Sequence, residues 1–506
     1  MDTLKRRLLA LLFAALFLCF PIINWHAGEL VEEPGSSGNQ VMQISPGHGD
    51  KYVPGQVLVR FKPLVSQEAG KTDVLLGAKV LWVSTLVDSL QLVQLPRQVT
   101  VEEAIREYRK NPDVLYAEPN YRVHALATPG DPDFPSLWGL HNTGQNGGTP
   151  GVDIHAPEAW ELSTGSQDVV VAVIDTGIDY NHEDLAVNMF RNEADCNANG
   201  VDDDHNGYVD DCHGINMVDR NSDPMDIVGH GTHVAGTIGA VGNNGAGVTG
   251  VNWNVKLMAC KFLGPGEGGG DVASAIACLE YVKTMKDHGV NIVATNDSWG
   301  VGYYTQGLED AIRAHAERGI LFIAAAGNEF SNNDLLPVYP ANYRLPNVIS
   351  VAAITRTGDR ATFSNFGRRT VHLGAPGQEI LSTTPDDTYH VYSGTSMAAP
   401  HVTGVAALLK AEDPGRDWRT IKNLILSGGN QSPALAQTIT GRWLNAYGSM
   451  TCLDSPILTR LLPVANTTAG SIGTAVDLTA LNIDCARPAG DIEVSLSDRG
   501  YRYSEG

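Results

Sequence analysis

Basic side chains are scarce in this chain: 35 Lys and Arg stand against 57 Asp and Glu over 506 residues, a formal charge of -22. Nucleic acid and anionic membrane surfaces bind through clustered Lys and Arg, so neither is expected as a partner. The acidity is read as a means of keeping the chain soluble. Signs of disorder or of a fibrous repeat are absent as well. A hydrophobic fraction of 43% with 54 Gly and 26 Pro describes a loop-rich globular protein with a sizeable core, and the length calls for two or three domains. Lys5, Arg6 and Arg7 precede an apolar run, Leu8 to Phe20, that is too short for a comfortable membrane span. It reads as an export signal over residues 1–27, cut near Ala27; an uncleaved anchor is the alternative, because no small-x-small site stands out.

Cysteine is sparse, with seven in the chain. Setting Cys19 aside with the signal leaves Cys196, Cys212, Cys260, Cys278, Cys452 and Cys485, an even number in an exported chain, which favours disulfides over a metal cluster. Neighbours along the chain suggest Cys196–Cys212, Cys260–Cys278 and Cys452–Cys485, each worth about 3 kcal/mol as a short closed loop.

Residues 28–50, rich in Gly, Ser, Pro and Glu, read as a connector. A first domain over 51–125 shows the order βαββαβ. VPGQVLVRFKP is a strand, VSQEAGKTDVLLG a helix, AKVLWVSTLVDSLQLVQLP two strands, TVEEAIREYRK a helix and DVLYAEPNYRV a strand. Thr100 and Glu103 have the spacing of a capping box. The order predicts a ferredoxin-like fold, which by itself carries no function. From 126 to 449 the apolar runs VVVAVID, VKLMACKFL, NIVATNDSWG, ILFIAAAGN and NVISVAAI alternate with helical stretches, as buried strands of a mostly parallel sheet do. Residues 450–506 alternate with period two and read as part of a β-rich extension.

Four segments hold residues suited to peptide hydrolysis, which needs a nucleophile, a base, an acid to orient that base, and donors for an oxyanion. Asp175 ends VVVAVID and opens DTGID, His230 opens HGTHVAG, Asn328 closes AAAGN, and Ser396 lies in SGTSMAAPHVTG. Taken singly, an Asp after a strand or a Ser in a Gly-rich loop is usually a turn residue.

Together, DTGID, HGTHVAG, AAAGNE and GTSMAAPH in this order, over roughly three hundred residues, resemble the subtilisin-like serine proteases, the subtilase or S8 family. The resemblance implies a three-layer α/β fold with a mostly parallel sheet, preceded by a ferredoxin-like prodomain. It implies Ser396 as nucleophile, His230 as general base and then acid, Asp175 as the residue orienting the imidazole, and Asn328 with the Ser396 N–H as oxyanion donors. His233 is then a residue packed behind the site. Ser298, Trp299 and Gly300 of NDSWG would form one wall of the pocket for the residue preceding the cut, and Ala325, Ala326 and Gly327 the other. Val338, where many relatives have glycine, would make the pocket shallow and favour medium apolar side chains over large aromatics.

The stretch DCNANGVDDDHNGYVDDC, 195–212, concentrates acids and amides around two glycines with no Lys or Arg. A hard cation relieves that repulsion, so Ca²⁺ is expected from Asp195, Asn197, Asn199, Asp202, Asp204, Asn206 and Asp210. Asn206 and His213 stand where an EF-hand would have its twelfth-position Glu, so no EF-hand helix pair is expected. A solvated acidic loop is the plain alternative. The resemblance alone implies a second calcium site from Asp131, Asp184 and Asn244, with backbone oxygens of Val241, Ala246 and Val248. It also implies that the first domain is an inhibitory propeptide cut between Tyr121 and Asp131 and that substrates are proteins and peptides; with the export signal, a secreted enzyme is expected, as a monomer. Two rivals are weighed against it. A Ser-His-Asp esterase of the α/β-hydrolase kind would need GxSxG, which is missing around Ser396. A calcium-dependent binding protein on an inactive fold would not need all four chemical positions filled.

Overall fold

The computed structural model describes residues 52–62, 77–121, 128–266 and 269–452. The expected signal, connector, first helix of the first domain, and nearly all of the tail from 450 lie outside the described residues. By compactness the chain divides after His48, and the first unit, residues 1–48, falls wholly outside them.

The second unit opens with β1 (Tyr52–Phe61), β2 (Lys79–Val83), β3 (Leu90–Gln94), α1 (Val101–Lys110) and β4 (Val114–Tyr121). All neighbouring strands are antiparallel in the order β2-β3-β1-β4, the ferredoxin-like order expected from the sequence. Period-two alternation puts Val57, Val59 and Phe61 of β1 on one face, where they meet Ala104 and Tyr108 of α1. Helix α1 starts as its sequence predicts: Glu103 N donates to Thr100 Oγ1 at 3.2 Å and Thr100 N to Glu103 Oε2 at 3.1 Å.

From residue 128 the chain forms α2 (Ala156–Trp160), β5 (Gly165–Asp175), β6 (Gly214–Asn216), α3 (His230–Gly239), β7 (Asn254–Lys261) and α4 (Val272–Asp287). There follow β8 (Ile292–Asp297), α5 (Gln306–Glu317), β9 (Leu321–Ala325), β10 (Val348–Ile354), β11 (Leu373–Pro376), and the hairpin β12 (Ile380–Thr384) and β13 (Thr388–Tyr392). Last come α6 (Thr395–Glu412), α7 (Trp418–Gly428), β14 (Asn430–Gln431), β15 (Arg442–Trp443) and α8 (Ala446–Thr451).

One sheet takes the order β14-β15-β11-β10-β9-β8-β5-β7-β6. Its neighbours are parallel except at the β14–β15 edge. Every residue of β8, β9 and β10 is buried, because helices cover both faces: α3 and α6 on one, α4 and α5 on the other. That coverage explains why these strands read as continuous apolar runs. Helix α6 passes through the first of these layers and stays small where it is closest to its neighbours. A Cβ on Gly404 would stand 2.6 Å from Val251 Cβ.

Cys196–Cys212 and Cys260–Cys278 are disulfide-bonded as expected. Cys452 is disulfide-bonded too, and Cys485, its expected partner, lies outside the described residues.

Candidate active site

Asp175 is the last residue of β5, at the carboxyl edge of the sheet, where parallel strands open onto crevices. Its carboxyl is fully buried, and Oδ1 accepts from Thr176 N and from His230 Nδ1, each at 2.7 Å. With Nδ1 committed as the donor, His230 presents Nε2 to the cleft. Burial alone would lower the proton affinity of this ring. The charge and hydrogen bond of Asp175, with the charge of Asp226, outweigh burial and hold the His230 pKa above its ordinary value.

Asp226 was not legible as a functional residue. Helix α3 begins at His230 behind Gly229, which has no side chain to cap it. Asp226 does that work from four residues upstream. Its Oδ1 accepts from Val228 N at 2.8 Å and Gly229 N at 3.0 Å, and its Oδ2 accepts from Thr232 N at 3.0 Å and Thr232 Oγ1 at 2.7 Å. Thr176 Oγ1 accepts from Gly231 N at 2.8 Å, which ties the DTGID turn to the same helix start. Gly231 has to be glycine, since a Cβ there would meet Gly177 O at 2.1 Å. The only cue in the sequence was an acid shortly before a helix start.

Ser396 lies in the first turn of α6. Four residues later comes Pro400, which has no N–H, so the Ser396 carbonyl loses its helical donor. Ser298 Oγ supplies one, at 2.9 Å from Ser396 O. The Ser396 hydroxyl donates to Ser298 O at 3.2 Å rather than to His230, the base expected to receive its proton. Asn328 is oriented from behind, its Oδ1 accepting from Thr395 N at 2.8 Å and Thr395 Oγ1 at 3.0 Å. Its Nδ2 is thereby left for the cleft. A Cβ built on Gly394 would stand 3.6 Å from both Asn328 Nδ2 and Ser396 N, so the two donors border one small space.

The expected pocket segments are joined at their far ends, where Val301 N donates to Tyr339 O at 2.6 Å and Tyr339 N to Val301 O at 2.8 Å. This brings Val338 against Gly300: a Cβ there would lie 2.9 Å from Val338 Cγ1. On the other side Ala325 and Ala326 turn their methyl groups into buried clusters, so the wall they offer is backbone. Gly327 completes it at φ +109°, where a Cβ would meet Asn365 Nδ2 at 2.3 Å. His233 is packed behind the site, stacked on Tyr392 with centroids 4.4 Å apart, and burial pushes its pKa down to about 3.

In the acidic loop, oxygens of Asp195, Asp202 and Asp204 lie within 4.8 Å of one another. Asp195 is fully buried, and its Oδ2 has no hydrogen-bond donor. Burial and that missing donor suit a hard cation. The other expected ligands are engaged in shaping the loop. Asn197 and Asn199 donate side-chain N–H to Asp203 Oδ2, at 2.6 and 2.7 Å, and Asn206 donates to Asp204 and Asp211. Asp210 accepts from Asn199 N and Gly200 N.

The second cluster also assembles. Asp131 accepts backbone N–H from Asn243, Asn244 and Gly245, and Asp184 accepts from Asn244 Nδ2 at 2.7 Å and Val248 N at 2.9 Å. Val241 N bonds Asp184 O, and Ala246 N bonds Asn244 Oδ1. Every carboxylate oxygen here already has an N–H donor, and Asn244 points its nitrogen inward. A cation would require that amide to turn over, so the first cluster fits the ion better.

The family model for the subtilase family matches residues 166–448, and that for the fervidolysin N-terminal prodomain matches residues 38–120. A thermophilic serine proteinase of Bacillus sp. strain AK1 is 31% identical over 450 residues, covering 88% of this chain and 99% of that protein. Subtilisin-like protease 1 of Plasmodium vivax is 36% identical over 288 residues, 53% of this chain and 45% of its own. Among solved structures, a protease of Pseudoalteromonas arctica superposes with a TM-score of 0.50 at 28% identity, covering 64% of this chain and 99% of that one. With the sheet order, the strand-end cleft and these matches in hand, the chain belongs to the subtilase family and is a serine protease preceded by a prodomain.

Proposed function

We propose that the protein is an exported endopeptidase that cuts peptide bonds through an ester on Ser396. The observation that carries this is the 2.7 Å bond from His230 Nδ1 to Asp175 Oδ1 at a strand end; Ser396 N and Asn328 Nδ2, which border one small space, support it. In this reading the Ser396 hydroxyl leaves Ser298 O and turns to His230 Nε2. That nitrogen then removes the proton as Oγ adds to the scissile carbonyl. Asp175 stabilises the imidazolium, and Asn328 Nδ2 with Ser396 N receive the oxyanion. The imidazolium returns its proton to the leaving amine, and water deacylates the serine by the same steps in reverse order of partners.

The prodomain is proposed to act as an intramolecular inhibitor, released by cleavage between Tyr121 and Asp131. A shallow pocket floored by Val338 is proposed to prefer medium apolar side chains. Ca²⁺ is proposed at Asp195, Asp202 and Asp204, where it would tie down the loop closed by Cys196–Cys212 and take no part in the chemistry. Among the described residues no helix is long and apolar enough to cross a membrane, and export is inferred from the N-terminal sequence. Casein hydrolysis by purified protein tests the reading. Wild type active with Ser396→Ala inactive supports it; equal activity of the two refutes Ser396 as the nucleophile, and none in either after the prodomain has gone refutes the reading in favour of an inactive binding protein.

A further inference from the structure

Asp297 ends β8, fully buried, and no step of the chemistry above uses it. It directly precedes Ser298, and across the sheet it pairs with Ala324 of β9, which directly precedes Ala325. One acid therefore sits at the point from which both expected pocket walls depart. Its Oδ2 accepts from Thr295 Oγ1 at 2.6 Å, while its Oδ1 has no partner. Two residues on, Trp299 Nε1 is buried without a partner too. Alternation along β8 puts Thr295 and Asp297 on one side, and Trp299 follows just beyond the strand end. The buried indole N–H and the buried Oδ1 are thus a donor and an acceptor without partners two residues apart, and the indole N–H works against burial in setting the carboxyl's pKa. The indole is braced edge-on by Phe262, centroids 5.1 Å apart, and Phe262 N donates to Asp175 O at 3.0 Å.

We propose that Asp297 is a positioning residue for the substrate pocket: its carboxyl takes up the Trp299 indole from behind and fixes the two walls at the spacing that receives the side chain preceding the cut. The inference rests on reading 298–300 and 325–327 as those walls. An acid is unusual in such a place, since its charged form has no cation to balance it. Burial pushes its pKa well above the ordinary carboxylate range, and the charge of Asp175 adds to the effect. Lys261, which pairs with Asp175 across β5 and β7, is engaged with Met225 O at 2.6 Å. Burial therefore disfavours the charged form, and ionisation would set a second anion near Asp175.

The test is steady-state kinetics on a chromogenic tetrapeptide anilide with Val before the cut, from neutral to alkaline pH, for the mature enzyme. Asp297→Leu is expected to raise KM about five- to tenfold while kcat changes by less than about twofold. Trp299→Phe, which keeps the ring and loses the N–H, should raise KM similarly, and the double variant should add nothing further. Asp297→Asn should keep the neutral KM and lack the rise in KM that ionisation of Asp297 is expected to give wild type toward alkaline pH. Additive effects of Asp297→Leu and Trp299→Phe, or superimposable pH profiles for wild type and Asp297→Asn, would overturn the proposal. If Asp297→Leu does not fold, Asp297→Asn and Trp299→Phe decide it alone. Failure of the underlying pocket reading looks different: Val338→Gly would then leave the side-chain preference unchanged.

Discussion

Ser298 and Ser396 each place a hydroxyl on the other's carbonyl oxygen, at 2.9 Å from Ser298 and 3.2 Å from Ser396. The first of these bonds fills the gap that Pro400 leaves in the helix, and the second holds the Ser396 hydroxyl on Ser298 rather than on His230, its proposed base. The proposed pocket wall and the proposed nucleophile are thus joined through two residues that lie far apart in the chain.

Ser298→Ala should therefore harm more than the pocket. It leaves the Ser396 carbonyl without a donor and removes the acceptor that Asn296 Nδ2 uses at 2.9 Å. A stability loss of about 1–3 kcal/mol is expected, with kcat falling more than KM rises, because the base of the nucleophile's helix loosens. Thermal unfolding and steady-state kinetics on one peptide substrate check both parts. An unchanged melting temperature would refute the bridging role.

Asp226 offers a sharper separation of structure from chemistry. Asp226→Asn keeps one oxygen acceptor, whereas Asp226→Ala strips four donors of their partner. Loss of the cap should cost about 1–2 kcal/mol in the Ala variant and less in the Asn variant. Both remove a charge that raises the His230 pKa. The acid limb of kcat/KM, which reports His230 becoming neutral and able to act as base, should move to lower pH in both variants. A limb that stays in place in Asp226→Asn would contradict the electrostatic part.

How much of this was legible in the sequence follows from the range of each interaction. The run VVVAVID could be read as a strand buried on both faces because its own composition says so, and the cap of α1 because Thr100 and Glu103 are neighbours. The hairpin β12–β13 was not foreseen; it emerges from TTPDDTYH only through pairs such as Ser382 with His390. Residues whose role lies in filling a vacancy made elsewhere stayed hidden. Ser298 matters because of Pro400 and Asp226 because of Gly229, and no local pattern in either segment announces its partner. The parked hydroxyl of Ser396 likewise depends on a carbonyl from a distant strand end.

The pocket floor gives a direct specificity test. Val338 Cγ1 stands where it would crowd even a methyl group on Gly300, so Val338→Gly should deepen the space. A peptide library is expected to shift from medium apolar residues before the cut toward Phe and Tyr, by on the order of tenfold in relative kcat/KM, given about 1–3 kcal/mol for each methylene-sized change in a pocket. A wild-type profile already dominated by Phe and Tyr would refute the shallow floor.

Chelation probes the acidic loop. If a cation neutralises Asp195, Asp202 and Asp204, EDTA should lower the melting temperature of wild type and added Ca²⁺ should restore it. Ion at about a hundredfold over its dissociation constant corresponds to about 2.7 kcal/mol. Asp195→Asn, with its buried oxygen made neutral, should show a much smaller response to EDTA. Equal responses in the two proteins would move the ion away from Asp195.

Stability toward acid should be set partly by histidines that never touch the substrate. Burial pushes His315 and His401 down to about 4, while each takes up a proton near 6.5 once unfolded. The native state then binds fewer protons than the unfolded one between those values, so stability rises with pH through that window and is lost as pH falls below 6.5. His315 is the cleaner probe, since it lies on α5 and meets the backbone at Leu279 O, 2.8 Å from its Nε2. His315→Gln can keep that donor without titrating. Wild type should lose on the order of 2 kcal/mol from this group between pH 7.5 and pH 5, and the Gln variant should lack that part of the slope. Urea unfolding of both proteins at the two pH values measures the difference directly. Parallel losses would show that the His315 ring is already protonated in the fold, which its burial against Leu279 argues against.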